Sequence, residues 1–172
     1  LTIDFVPLFE TVDDLSRARS VMKALYTNKA YATHLKKRGN KQSIMLGFSD
    51  STKDGGYLMA NWSIYKAKIE LTALAREYDV DLVFFDGRGG PPARGGGKTQ
   101  RFYAAMGGEI ENKHIQLTIQ GQTISSQYGS LDTAQYNIEQ LLHAGLISEI
   151  KQNSSDTLTE KQKSVIDDMA AE

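Results

Sequence analysis

The sequence predicts an α/β fold in which parallel βα units form part of a TIM-type (β/α)8 barrel, with a long helix after the second strand. Two observations support this prediction. Short apolar runs alternate along the chain with amphipathic helical patterns, which is the order of a parallel α/β architecture. Polar or charged residues stand at the end of each run, where a barrel of this type builds its site. Four such units cannot close an eight-stranded barrel, so half of the barrel would be missing.

Four apolar runs are predicted as strands: residues 3–9, 43–48, 80–85 and 114–119. The first three are nearly continuous in valine, isoleucine, leucine and phenylalanine, which is typical of parallel strands covered on both faces. Their ends carry Glu10, Asp50 and a loop containing Arg88, and the fourth run ends at Gln120. Because parallel strands end at the same edge of a sheet, we expect these residues at one edge.

Helical patterns separate the strands. Thr11 and Asp14 have capping-box spacing ahead of the first helix, and a more polar helix is predicted over residues 29–37. The longest helix is predicted over about residues 56–78, and a later one is capped by Ser130 and ended by Gly145. We assign residues 1–150 to a partial barrel carrying the catalytic segment, and residues 151–172 to a polar linker and a C-terminal helix.

Composition excludes several classes of protein. The net charge of −1 argues against non-specific binding to nucleic acid, and no apolar run is long enough to span a bilayer. There is no cysteine, hence no disulfide framework and no thiolate metal site. The N-terminal residues lack the pattern of a signal peptide. Together these features predict a cytoplasmic protein that does not bind membranes.

The loop over residues 86–99 is the most informative stretch. It holds six of the 15 glycines, which let backbone N–H groups approach a ligand. Arg88 and Arg94 indicate an oxyanion, because the guanidinium fork matches carboxylate and phosphate oxygens. A P-loop or a dinucleotide fingerprint would each need glycine at position 92, which is Pro92. The loop is therefore predicted to bind a small polyanion by another arrangement, with a flexible solvent loop as the alternative.

Glu10 and Asp50 are candidate ligands of a hard cation such as Mg²⁺ or Mn²⁺, with substrate and water in the other positions. The alternative is that each carboxylate only favours the N-terminus of the helix that follows it. Lys53 lies near the positive end of a helix, which suggests an anionic partner; a solvated surface lysine is the alternative.

Three motifs carry a family resemblance: residues 6–11, 45–56 and 87–97. They resemble phosphoenolpyruvate carboxylase in that family's order and at its approximate spacing, within a match over about residues 6–145. Members of the family are several times longer, so the chain resembles a central barrel segment of the bacterial-type enzyme. The resemblance implies that the rest of a parent polypeptide completes the barrel and that the protein is a homo-oligomer.

The resemblance also implies roles for individual residues. Glu10 and Asp50 match the two ligands of the divalent metal, and Lys53 matches an active-site lysine. Arg88 and Arg94 match loop arginines that meet phosphate and carboxylate groups and are linked to inhibition by a dicarboxylate. The substrate-binding set implied around them further contains Gly89, Gly90, Gly95, Gly96 and Gln120.

The implied reaction joins phosphoenolpyruvate and bicarbonate into oxaloacetate and phosphate. Bicarbonate attacks phosphorus to give carboxyphosphate, and the enolate that remains, held by the metal, attacks carbon dioxide. A cation that neutralises the growing enolate charge and fixed arginine donors suit this chemistry.

The sequence departs from the family's pattern at several positions. Asp86 stands where the family has histidine; we place it in the catalytic set with Lys53, Arg88 and Arg94, and expect Lys98 to offset its charge. Further departures are Pro91, Pro92 and Ala93 in place of Thr-Val-Gly, Lys98 in place of proline, and Gln122 in place of glutamate. Two alternatives therefore stay open: a non-catalytic anion-binding or regulatory paralogue, and another metal-dependent barrel lyase acting on a phospho- or keto-acid.

Overall fold

The computed structural model describes residues 3–89, 98–151 and 158–171. In this part of the chain the four strands of one sheet alternate along the sequence with helices. The elements are β1 (Leu8–Phe9), α1 (Val12–Thr27), α2 (Lys29–Lys37), β2 (Lys41–Gly47), α3 (Phe48–Glu77), β3 (Asp81–Gly89), α4 (Thr99–Ala104), β4 (Ile115–Ile119), α5 (Gly121–Tyr128), α6 (Leu131–Lys151) and α7 (Glu160–Ala171).

The sheet has the order β1-β2-β3-β4, and every neighbouring pair is parallel. This confirms the predicted parallel α/β class, and the sequential strand order is compatible with part of a barrel. The register pairs Leu46 with Asp86 and Gly47 with Gly87, so β2 and β3 end level with each other. All four carboxyl ends therefore lie at one edge of the sheet.

The core lies against one face of this sheet. Gln42, Ile44 and Leu46 of β2 are buried, whereas the alternate residues Ser43 and Met45 are half-buried. Side chains from the first and third helices complete the core, among them Leu15, Met22, Leu71 and Leu74. The expectation that the strands are covered on both faces thus holds in part. On the other face Val83 of β3 is buried, but β2 is incompletely covered within the described residues.

The first strand is much shorter than predicted. It contains only Leu8 and Phe9, while Ile3, Phe5 and Val6 ahead of it are exposed. Two physical reasons account for the difference. Pro7 has no N–H to donate, so only its carbonyl joins the ladder, by accepting from Met45 N at 2.9 Å. In addition, β1 is an edge strand and pairs on one side alone.

Helix ends are partly as predicted. Thr11 Oγ1 accepts from Asp14 N at 3.0 Å and Asp14 Oδ2 accepts from Thr11 N at 3.3 Å, which confirms the capping box. The hydrogen bond from Thr11 also lowers the pKa of Asp14. The prediction that Gly145 ends the later helix is wrong, since α6 continues to Lys151. Glycine within a helix costs only about 1 kcal/mol relative to alanine, which the rest of a long helix can absorb.

The third helix begins at Phe48, directly after β2, rather than near residue 56. Gly56 has φ +75° and ψ 175°, so helical geometry is interrupted there, and the first turns form a separate segment carrying Asp50 and Lys53. No helix among the described residues is long and apolar enough to cross a membrane.

Candidate functional site

The residues predicted at the strand ends lie along the carboxyl edge of the sheet. Glu10 directly follows β1, Asp50 is in the first turn of α3, and Gly89 is the last residue of β3. Gln120 is exposed and precedes α5, immediately after β4. Arg94, Gly90, Gly95 and Gly96 lie outside the described residues, so their roles stay predictions.

The ends of β1 and β2 are held together closely. A Cβ atom on Gly47 would lie 2.6 Å from Glu10 Cβ and 3.0 Å from Glu10 Cα, so only glycine permits this approach. The Ser51 hydroxyl lies 2.8 Å from the Glu10 carbonyl oxygen and 2.6 Å from that of Gly47. Ser51 and Gly47 therefore fix the backbone of Glu10 beside the helical turn that carries Asp50.

Asp50 and Lys53 form an ion pair on this edge, with Lys53 Nζ donating to Asp50 Oδ1 at 2.7 Å. Both side chains are largely exposed, so the pair is held weakly and either partner is accessible to a ligand. Among the described residues no group of three or more histidine, cysteine, aspartate or glutamate side chains could hold a metal. At this edge Glu10 and Asp50 supply carboxylate oxygens.

A second ion pair lies under the end of β3. Lys68 Nζ, on α3, is 2.8 Å from both carboxylate oxygens of Asp86, although only the Oδ2 contact has hydrogen-bond geometry. Each side chain is 1% exposed. The Tyr103 hydroxyl donates to the same Asp86 Oδ2 at 2.8 Å. The expectation that Lys98 offsets Asp86 is wrong: Lys98 is exposed, and the partner is Lys68.

The surroundings of Lys68 are aromatic. Its Nζ lies 4.9 Å from the ring centroid of Phe84, 5.2 Å from that of Phe102 and 5.8 Å from that of Tyr103. Burial lowers the pKa of Lys68, and the Asp86 carboxylate opposes that shift. Burial and then the Asp86 charge raise the pKa of Tyr103, so its hydroxyl stays a donor.

Arg88 lies on the same face of β3 as Asp86, two residues further along, and is only 5% exposed. Its guanidinium carbon is 4.2 Å from the ring centroid of Phe102 and 5.1 Å from that of Phe48. One Nη1 hydrogen bond goes to Asn61 Oδ1 at 3.2 Å, and Nε has no partner among the described residues. These cation–π contacts hold the guanidinium in place, and its Nε–H remains available as a donor to an anion.

Sequence reasoning missed Lys68, Phe102, Tyr103 and Asn61. A signal for Lys68 was present, because it stands four residues after Ile64 and three before Leu71, on the apolar stripe of a predicted helix. A charged residue on a buried stripe requires a partner of opposite charge. Nothing local in the sequence identifies Asp86 as that partner.

Comparison with known proteins assigns the family. The family model for phosphoenolpyruvate carboxylase matches residues 1–172. Proteins named phosphoenolpyruvate carboxylase are 44% identical over 144 residues in Rhodothermus marinus, 42% over 144 in Corynebacterium diphtheriae and 43% over 145 in Corynebacterium efficiens. Each match covers 84% of this chain but only 15–16% of the length of the relative. The chain belongs to the phosphoenolpyruvate carboxylase family and corresponds to a segment of its longer members.

Proposed function

We propose that the polypeptide containing this segment converts phosphoenolpyruvate and bicarbonate into oxaloacetate and phosphate, with a divalent cation, in the cytoplasm. The observation that carries the proposal is the carboxyl edge of the sheet. There two half-buried carboxylates and an exposed lysine (Glu10, Asp50 and Lys53) share an edge with a buried arginine, Arg88, whose Nε has no partner among the described residues. Cation ligands and an oxyanion site are the two components that a phosphorylated enol acid requires.

Glu10 and Asp50 fit a hard cation such as Mg²⁺ or Mn²⁺. Mg²⁺ is commonly bound through one or two carboxylates, with water and substrate oxygens completing its octahedron. Glu10 is fixed through its backbone, and Asp50 has only an exposed lysine to release. When bound, the cation supplies positive charge that stabilises negative charge developing on a substrate oxygen.

Arg88 would bind phosphoryl or carboxylate oxygens of the substrate. Its guanidinium already contacts the rings of Phe48 and Phe102 before any ligand arrives, so little reorganisation is needed on binding. Lys53 would turn from Asp50 toward the anionic substrate once a cation occupies the carboxylate. By resemblance, Arg94 and the backbone of Gly89, Gly90, Gly95 and Gly96 add further donors, and the same arginines accept a dicarboxylate inhibitor.

The test is a coupled oxaloacetate assay on the full-length polypeptide with phosphoenolpyruvate, bicarbonate and Mg²⁺. Arg88→Ala is expected to lower kcat/KM by a factor equivalent to about 2–4 kcal/mol of transition-state stabilisation, since a desolvated charge contact is lost. Arg76→Ala is the matched control, because Arg76 is an exposed arginine in the last turn of α3, near the amino-terminal ends of β2 and β3 and so at the opposite edge of the sheet. An inactive wild-type polypeptide, or equal losses in the two variants, would contradict the proposal.

A second candidate is a non-catalytic anion-binding paralogue, and Asp86 favours it because the family's pattern has histidine there. The same preparations separate the two functions. Binding of phosphoenolpyruvate measured by calorimetry without any oxaloacetate formation would support the paralogue over the carboxylase.

A further inference from the structure

We propose that Lys68 is a positioning residue of the anion site: it neutralises Asp86 beneath Arg88, so that the Arg88 guanidinium stays free for an anionic ligand. This inference rests on the proposed function, because it assumes that Arg88 binds the substrate's oxyanion. Its basis is the buried contact of Lys68 Nζ with both oxygens of Asp86 at 2.8 Å.

Asp86 would be harmful to an anion site without this lysine. Asp86 and Arg88 are two residues apart on one strand and face the same side of the sheet. An unpaired carboxylate that is 1% exposed would attract the nearby guanidinium and repel an incoming phosphate or carboxylate. In the structure Arg88 instead contacts Phe48, Phe102 and Asn61, and the Asp86 carboxylate contacts Lys68 and Tyr103.

The charges of the buried group explain why this arrangement favours anions. Lys68, Asp86 and Arg88 together leave one net positive charge, and it resides on the residue with free donors. In surroundings of low dielectric such a charge acts strongly on a ligand. Lys68 thus acts through Asp86 and contacts no ligand itself.

The fourth helix connects the pair to the glycine-rich loop. Its neighbouring residues Phe102 and Tyr103 contact Arg88 and Asp86 respectively. Strand β3 ends at Gly89 and α4 begins at Thr99, so these contacts hold the two described ends between which residues 90–97 run. The same buried group therefore holds both Arg88 and α4 in place.

The test uses inorganic phosphate as the probe, titrated calorimetrically at pH 8 into the full-length polypeptide and three variants: Lys68→Met, Asp86→Asn and the double variant. We expect Lys68→Met to weaken phosphate binding by about tenfold or more, because Asp86 then pairs with Arg88. Asp86→Asn should bind phosphate at least as tightly as the wild type, and the double variant should bind within about threefold of it.

The opposite effects of the two single variants distinguish positioning from a merely structural role, which would weaken phosphate binding in both. If Lys68→Met fails to fold, Asp86→Asn and the double variant still decide the question. Weaker binding by Asp86→Asn, or unchanged binding by Lys68→Met, would overturn the inference. Absence of oxaloacetate formation together with the expected order of phosphate affinities would overturn the proposed function but keep this inference.

Discussion

Two lysine–aspartate pairs stand near the same edge of the sheet, and they differ in almost everything except distance. Lys68–Asp86 and Lys53–Asp50 have N–O separations of 2.8 Å and 2.7 Å. The side chains of the first pair are each 1% exposed, whereas those of the second are 63% and 49% exposed. The contact distance therefore does not distinguish the two ion pairs. Their exposure to water determines whether each pair is permanent or exchangeable.

The buried pair is a permanent part of the fold. Its ions have lost their hydration, and breaking it would leave an uncompensated charge in the interior. The exposed pair is exchangeable, because water can replace either partner at little cost. Under the proposed function such a pair would release Asp50 to a cation and Lys53 to an anion. The proposed site would then have a preformed part, Arg88 with the Lys68–Asp86 pair, and an exchangeable part, Glu10, Asp50 and Lys53, that ligands complete.

The largest effect is expected when this segment is studied on its own. The experiment tests whether the preformed part of the proposed site is sufficient for turnover. The isolated 172-residue chain is expected to show no turnover, because its four strands would supply only part of the barrel that the family resemblance implies, and catalysis needs groups held in place. The edge strand β4 and exposed apolar side chains such as Leu131 and Leu142 should also drive self-association. An oxaloacetate assay and light scattering measure both; turnover by a monomer would contradict this prediction.

Removing the buried lysine should have the next largest effect. Lys68→Met is expected to destabilise the region around α3 by about 3–5 kcal/mol, since Asp86 loses its partner in the interior. Hydrogen–deuterium exchange of α3 peptides in the full-length polypeptide reports this local stability. The double variant Lys68→Met/Asp86→Asn is the control and should recover most of the loss; exchange equal to that of the single variant would argue against the pair.

Substitutions in the exchangeable part of the proposed site should change its affinity for a metal ion. Glu10→Gln and Asp50→Asn are each expected to weaken Mn²⁺ binding about tenfold or more, roughly 1.4 kcal/mol, because each removes a charged oxygen ligand. Titration of Mn²⁺ followed by electron paramagnetic resonance measures the affinity. Asp54→Asn is a matched control from the same segment of α3, and unchanged affinity in both test variants would support helix capping instead.

Removing a ring that contacts Arg88, while keeping the arginine itself, should have a smaller effect on substrate binding. Phe102→Leu removes the closer of the two rings that contact Arg88. It should raise the KM for phosphoenolpyruvate by a factor equivalent to about 1–2 kcal/mol of binding free energy, with little change in kcat. Tyr65→Leu is a suitable comparison, because Tyr65 stacks on Trp62 of α3 and contacts neither Arg88 nor Asp86. A fall in kcat at constant KM would argue against a binding role for the stack.

The smallest effect is expected for the exposed lysine. Lys53→Met should change the local stability of α3 by less than about 1 kcal/mol, in contrast with Lys68→Met, because water solvates Asp50 once its partner is gone. The same exchange measurement applies. A loss comparable to that of the buried lysine would show that exposure is not what separates the two pairs.

Local signals predicted much of the fold correctly. The apolar runs gave the parallel class, and the spacing of Thr11 and Asp14 gave the first helix start. Local signals failed where a neighbour in space decided the outcome. Ile3, Phe5 and Val6 lie outside β1 because the sheet edge offers pairing on one side only. Gly145 does not end α6, because its backbone does not adopt the left-handed conformation.

By itself the sequence determined the class of fold, the order of its units and the polar residues at the strand ends, because hydrophobic period and turn chemistry are properties of neighbouring residues. Only the tertiary structure decided that Lys68 pairs with Asp86 across 18 residues and that Phe102 stacks on Arg88. Those contacts join a helix to a strand, and their strength comes from the exclusion of water. These side chains become buried only when the helix and the strand pack together, so a local pattern of residues cannot predict which of them pair.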